Sequence, residues 1–166
     1  NYGILKLIGE KVSKTLNGNY IKLWNVYGIE QDLKKSHVIT DFIRMATKKK
    51  KITMRTNGME TRDFLYVEDC CNGLEIIMKK KNKFLKQNKE LHLTSGKNIK
   101  IIQIAKIIKK IAKKKGINII IKPSKQSDLV QQNKKNKFNR YILNFWKPKT
   151  DIYSGIEKIF DYQQRN

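Results

Sequence analysis

The chain has 166 residues, enough for one domain with a hydrophobic core of its own. A hydrophobic content of 39% and an aromatic content of 9% exclude a disordered tail. No apolar run approaches the roughly 20 residues that a membrane-spanning helix needs. The net charge of +23 makes nucleic acid the first partner to test. The basic set, however, is 32 Lys and only five Arg, beside heavy use of Asn and Ile. These are the residues of A/T-rich codons, and Arg, which supplies bidentate base contacts, is scarce. Nucleic acid is therefore disfavoured as a partner.

The chain begins Asn1-Tyr2-Gly3-Ile4-Leu5-Lys6, without an initiator Met and without a signal-peptide layout. A cytoplasmic protein and a truncated chain are expected. Ile4, Leu5, Ile8, Val12 and Leu16 fall at helical spacing, and Gly18 ends that helix. Tyr20 to Tyr27 reads as a strand closed by Gly28. A polar loop leads to a helix from about His37 to Lys48, with Val38, Phe42, Ile43 and Met45 apolar. Ile52 to Arg55 reads as a short strand and Asn57-Gly58 as a tight turn. Phe64 to Val67 is another apolar run, and Glu68 or Asp69 is placed to cap the next helix, which runs through Leu74, Ile77 and Met78. Cys70 and Cys71 are adjacent, with no second pair at metal-ligand spacing, so reduced thiols are expected and no zinc site.

Leu91 to Thr94 reads as a strand that stops at Ser95-Gly96. Ile101, Ile104, Ala105, Ile108, Ile111 and Ala112 then make one apolar stripe with Lys on the far side, the clearest helix of the chain. A basic amphipathic helix also suits a membrane surface. Strands on both sides of this one favour packing in an α/β layer. Gly116 stops it, Ile117 to Ile121 is a strand ended by Pro123, and a polar segment runs from Ser124 to Lys137. Two short helices, near Phe138 to Leu143 and Asp151 to Tyr162, finish the chain. The alternation of strand and helix points to an α/β or α+β architecture. His92 has no evident partner in sequence and reads as a packed structural residue.

Tyr2 and Lys6 are four apart and share one helix face. A phenol is a poor base at neutral pH, and an ammonium held beside it favours the phenolate. By itself this pair carries little, because Lys is abundant. The order of the downstream blocks carries more. The strand ends Asn25-Val26-Tyr27-Gly28; then come Val38-Ile39 with Phe42-Ile43, and Gly58 with Arg62-Asp63-Phe64, Tyr66-Val67 and Asp69 after it. This series resembles the extended short-chain dehydrogenase/reductase family, specifically the NAD-dependent nucleotide-sugar epimerases and dehydratases, and covers nearly the whole chain.

The resemblance implies the C-terminal part of a Rossmann-like doubly wound sheet, interleaved with a small α/β substrate-binding domain. Residues 1–166 would form one such C-terminal portion, and the glycine-rich cofactor turn would lie upstream. It implies NAD or NADP as cofactor, a nucleoside diphosphate sugar as substrate and a homodimer as candidate assembly. The activity would be that of a UDP-glucose 4-epimerase-like enzyme, which moves a proton and a hydride at a sugar carbon. The stretch alone would be inactive. Tyr2 would move the hydroxyl proton, and Lys6 would depress the phenol pKa and hold the nicotinamide ribose. Trp24 would lie beside the nicotinamide. Asn25 would contact the diphosphate, His37 and Val38 would close over the nucleotide, and Arg62 would grip the phosphates with its planar fork.

Three departures stand against the family pattern. Ile29 and Thr40 occupy positions where the family usually has Pro, and Lys125 stands where a second phosphate-gripping Arg is usual. An alternative function is a basic, non-catalytic module that binds RNA or another polyanion. Lysine clusters at 48–51, 79–81 and 113–115 motivate it, although lysines at helix ends also complement the helix dipole.

Overall fold

The structure, a computed structural model, describes residues 1–32, 34, 36–80, 90–129 and 138–165. Its elements run α1 (Tyr2–Thr15), β1 (Ile21–Leu23), β2 (Asn25–Tyr27), α2 (Val38–Lys49), β3 (Lys51–Thr53), β4 (Thr61–Tyr66) and α3 (Val67–Lys79). They continue with β5 (Leu91–Leu93), β6 (Asn98–Lys100), α4 (Ile101–Lys114), β7 (Ile120–Lys122), a 3-10 turn (Tyr141–Asn144) and α5 (Ile152–Arg165). The lysine run 79–81 and the polar segment 124–137 lie partly outside the described residues.

The strand expected over Tyr20 to Tyr27 is in fact two strands that change partner at Trp24. β1 pairs in parallel with β5, Ile21 opposite Leu91 and Leu23 opposite Leu93. β2 pairs in parallel with β4, Asn25 opposite Phe64 and Tyr27 opposite Tyr66. The Trp24 amide donates to the Leu93 carbonyl at 3.2 Å, so the break keeps its backbone bonded. β3 and β7 form a separate parallel pair, and β6 closes the β4 edge in antiparallel sense. The β6 strand is absent from the sequence reading, since Asn98-Ile99-Lys100 is too short to show a period.

β4 divides the core. Along it, Phe64 and Tyr66 face one apolar cluster and Leu65 faces the other, as strand alternation requires. The larger cluster lies under α2, α4 and α5, with Ile43, Ile104, Ile108, Ile111, Ile156 and Phe160 removed from solvent. Each such residue contributes about 1.5–3 kcal/mol of burial. The smaller cluster joins α3 to β5 and the 3-10 turn through Cys70, Ile77, Leu93, Ile142 and Trp146. α4 is therefore a core helix, as its stripe predicts.

Several local expectations change. α3 starts at Val67 after Tyr66, so neither Glu68 nor Asp69 caps it. Asp69 instead accepts from the Lys149 and Thr150 amides at 3.0 and 2.8 Å and ties the C-terminal segment to α3. The late helix near Phe138 to Leu143 is only the 3-10 turn. Cys70 is buried and Cys71 exposed, both free. Among the described residues, no helix is long and apolar enough to cross a membrane.

Candidate active site

Two cavities meet at the first turn of α1. The first, about 730 Å³, is lined among others by Tyr2, Trp24, Asn25, His37, Val38 and Arg62. The second, about 750 Å³, lies between α1 and β1 and is lined among others by Tyr2, Lys6, Lys22 and Trp24. Tyr2, Leu23 and Trp24 belong to both. Tyr2, 76% exposed, thus stands at the junction, with the cavity of Arg62 on one side and that of Lys6 on the other. Helical spacing places the Lys6 Nζ 5.3 Å from the Tyr2 ring centroid.

Trp24 is positioned by the partner switch and by its neighbours. Its indole N–H donates to His92 Nδ1 at 3.3 Å, and Phe138 packs edge-on at 5.6 Å between centroids. The Asn139 amide donates to the same His92 nitrogen at 3.0 Å, and His92 Nε2 lies 3.0 Å from a Glu90 oxygen. His92 is buried but far from partnerless. It holds the indole beside Tyr2, a role the sequence does not reveal because Trp24 is 68 positions away.

Asn25 Nδ2 donates to the Asp63 carbonyl at 2.9 Å across the β2–β4 pair, which fixes the amide at the cavity floor. Asp63 itself is no surface partner of Arg62. It is fully buried and accepts from the Ser95 amide, the Ser95 hydroxyl and the Lys97 amide at 2.8–3.0 Å. Arg62 instead donates from Nη2 to Asp128 at 3.1 Å and from Nη1 to the Thr61 carbonyl at 3.0 Å. The guanidinium is thus held on two sides, with one nitrogen paired with a carboxylate.

His37 is the residue before α2 and makes no side-chain cap. Its amide donates to Glu30 Oε2 at 3.0 Å, and its ring meets the same carboxylate. Burial opposes ionisation of Glu30, yet hydrogen bonds from Thr40 and His37 hold its carboxyl below the usual range. Tyr27 also lines the first cavity, but burial, with nearby Tyr66, Asp151 and Asp69, pushes its phenol well up. It packs against Gly155, where a Cβ would come within 2.2 Å of the Tyr27 oxygen. Lys125 is exposed and lines neither cavity; its segment reaches the site through Asp128.

A family model described as the NAD dependent epimerase/dehydratase family matches residues 1–90. This chain belongs to the NAD dependent epimerase/dehydratase family. Among its relatives, a GDP-L-fucose synthase of Sinorhizobium fredii is 30% identical over 96% of this chain and 53% of that protein. A putative UDP-glucose 4-epimerase of Methanocaldococcus jannaschii is 27% identical over 99% of this chain and 53% of its own length. In structure, the UDP-glucose 4-epimerase of Thermotoga maritima, solved with UDP-glucose, superposes with a TM-score of 0.72 at 19% identity. That match covers 96% of this chain and 50% of the other. The chain spans about half the length of the relatives it matches. The α/β fold with parallel strand pairs is thus that of the Rossmann-like members of the epimerase/dehydratase family.

Three residues of this family member escaped the sequence reading: Glu30, Glu60 and Asp128. Glu30 follows the Asn25–Gly28 block and Glu60 lies between Gly58 and Arg62, but a single acid carries no spacing of its own. The folded chain shows Glu30 and Glu60 lining the first cavity and Asp128 paired with Arg62.

Proposed function

We propose that this chain supplies the substrate half of an NAD-dependent nucleotide-sugar epimerase, working with a glycine-rich cofactor-binding half. The observation that carries the reading is the junction itself: one tyrosine shared by the linings of two cavities, one with Lys6 and the other with Arg62. A nucleoside diphosphate sugar fits the first cavity with its diphosphate on the Arg62 fork and its sugar toward Tyr2 and Asn25. His37 and Val38 cover the nucleotide end. The second cavity, with Lys6 and the Trp24 face, fits the nicotinamide end of the cofactor. NAD, when bound, supplies the hydride acceptor.

The chain's own residues do the rest. Tyr2 takes the proton from a sugar hydroxyl and later returns it, a role worth about 10²–10⁴ in rate. Lys6 stabilises the phenolate and contacts the cofactor ribose. Tyr27 keeps its proton and shapes the cavity. Arg62 rather than Lys125 is the phosphate grip. The uncovered apolar face of α1, where Leu5, Leu7 and Ile8 are each more than half exposed, suits docking by the cofactor half. C4 epimerisation is preferred over 4,6-dehydration, which uses the same residues. A homodimer and a cytoplasmic location belong to the same proposal.

Arg62→Ala in the full-length protein should weaken binding of UDP-glucose by about 10–100-fold in titration calorimetry, the worth of a charge-assisted phosphate contact. Binding equal to wild type would contradict the reading.

A further inference from the structure

Between Glu90 and Asp128 the chain runs for 37 residues without an acid, yet that stretch holds ten Lys. It also lacks Arg, Phe, Tyr and Trp. All 14 acidic residues and the other 22 Lys lie outside it. A/T-rich codons raise lysine along the whole chain; they do not clear the acids from one part of it.

The centre of this stretch is α4, and the fold turns its lysines to one side. Lys106, Lys109, Lys110, Lys113 and Lys114 follow the i, i+3, i+4, i+7, i+8 order of a single helix face, and all are exposed. At 1.5 Å per residue the row is about 12 Å long. Ile104, Ala105, Ile108, Ile111 and Ala112 occupy the opposite side and are removed from solvent. Among the described residues, no acid pairs with Lys106, Lys109, Lys110 or Lys113. Lys110 and Lys114 lie over the Tyr153 ring, with Nζ 5.8 and 5.1 Å from its centroid. The acids of α5 engage only the end of the row: Asp161 pairs with Lys115, and Glu157 faces Lys114. Like charges one turn apart destabilise a helix, so this face carries a repulsion that the chain itself leaves in place.

The composition of the face selects its partner. A single-stranded nucleic acid is held by stacking on aromatic rings, and base edges are read by Arg forks. The stretch has neither. An anionic bilayer asks only for positive charge at its surface, and the compact ammonium of Lys supplies it. The apolar side of α4 is committed to the core, so the contact is electrostatic and reversible, without insertion. None of the five lysines lines the cavities that meet at Tyr2, so a surface bound here leaves the cleft open.

We propose that the lysine face of α4 holds the protein reversibly against a membrane surface rich in anionic phospholipid. The test is co-sedimentation of the full-length protein with vesicles of about one third phosphatidylserine in phosphatidylcholine, at about 0.1 M salt. Wild type should sediment with them and stay in solution with pure phosphatidylcholine. It should be released at about 1 M salt, where screening shortens to about 3 Å. Lys106→Gln, Lys109→Gln, Lys110→Gln and Lys113→Gln together should lower partitioning at least about 100-fold, since each lysine at the surface is worth about fivefold. Glutamine matches lysine in helix propensity, so α4 is kept. A control removes the same charge from exposed lysines beside α3: Lys79 and Lys80 at its end, Lys147 and Lys149 on the segment tied to Asp69. Screened beyond about 10 Å, these should change partitioning less than about threefold. Arg at the four α4 positions should restore binding, which a defect of packing would not allow. Equal losses in the Gln variant and the control overturn the proposal, because net charge alone then acts. So does wild type that stays in solution with the anionic vesicles. An RNA duplex that strips wild type from the vesicles and loses its own binding in the Gln variant assigns the face to nucleic acid and overturns it too.

Discussion

α1 and α4 are both 14 residues long and both set aliphatic residues among lysines, yet they end in opposite environments. α4 buries Ile101, Ile104, Ala105, Ile108, Ile111 and Ala112 against α2, α5 and the strands. α1 buries nothing, and Leu5, Leu7, Ile8 and Val12 are half or more exposed. An amphipathic period states that a helix has an apolar face; it does not state what covers that face. α1 also carries Gly9 in its interior, which costs about 1 kcal/mol relative to Ala. The apolar face of α1 is left exposed, while Tyr2 and Lys6 on the neighbouring side of the helix line the cavity against β1.

The largest test of this contrast is a matched pair of truncations in the 166-residue chain. Ile108→Ala should cost about 2–5 kcal/mol in denaturant unfolding, as a buried Ile leaves a cavity. Ile8→Ala should cost under about 0.5 kcal/mol. Equal costs would show that α1 is packed after all. Next in size is Asp63→Ala, which strands the Ser95 and Lys97 donors and should cost about 2–3 kcal/mol. This separates the strongly tied β4–β6 side from the α1 side.

A smaller effect lies in the cleft between them. The Glu30 carboxyl is held below its unfolded value of about 4.3, so its contribution is present above that pH. It is lost as pH falls through the lower folded value. Between about pH 5 and 3, the melting temperature of wild type should therefore fall more steeply than that of Glu30→Gln. Parallel curves would remove the Glu30–His37 contact from the account. The smallest effect concerns the tether of α1. Glu10 pairs with Lys22 at 3.3 Å, a partly exposed contact worth at most about 1 kcal/mol. Glu10→Gln should speed amide hydrogen exchange in α1 and leave that of α4 unchanged.

Much of this fold is legible in the sequence because long periodic helices announce themselves. The α4 stripe and α2 stand where the pattern puts them, and the apolar run from Phe64 falls in β4, with Val67 opening α3. The misses have physical causes. Trp24 splits a strand because its two halves face different partners, and nothing local to Tyr20–Tyr27 encodes which strand lies alongside. Asp69 has the composition of a cap, but tertiary donors from Lys149 and Thr150, some 80 residues on, claim it. In the site, Tyr2, Trp24, Asn25, His37, Val38 and Arg62 are brought to one cavity. Lys6 enters the adjoining one, and Lys125 enters neither. Glu60 and Asp128 were illegible because an isolated acid on a loop carries no period and no spacing. Their partners, Thr56 for Glu60 and Arg62 for Asp128, are set only by the fold.

The most direct measurement is the turnover of a nucleoside diphosphate sugar by full-length Tyr2→Phe protein, read beside its affinity for the same ligand. A phenol that carries the proton predicts a loss in kcat of about 10²–10⁴ with affinity retained. Turnover equal to wild type would take Tyr2 out of the chemistry and with it the assignment of both cavities.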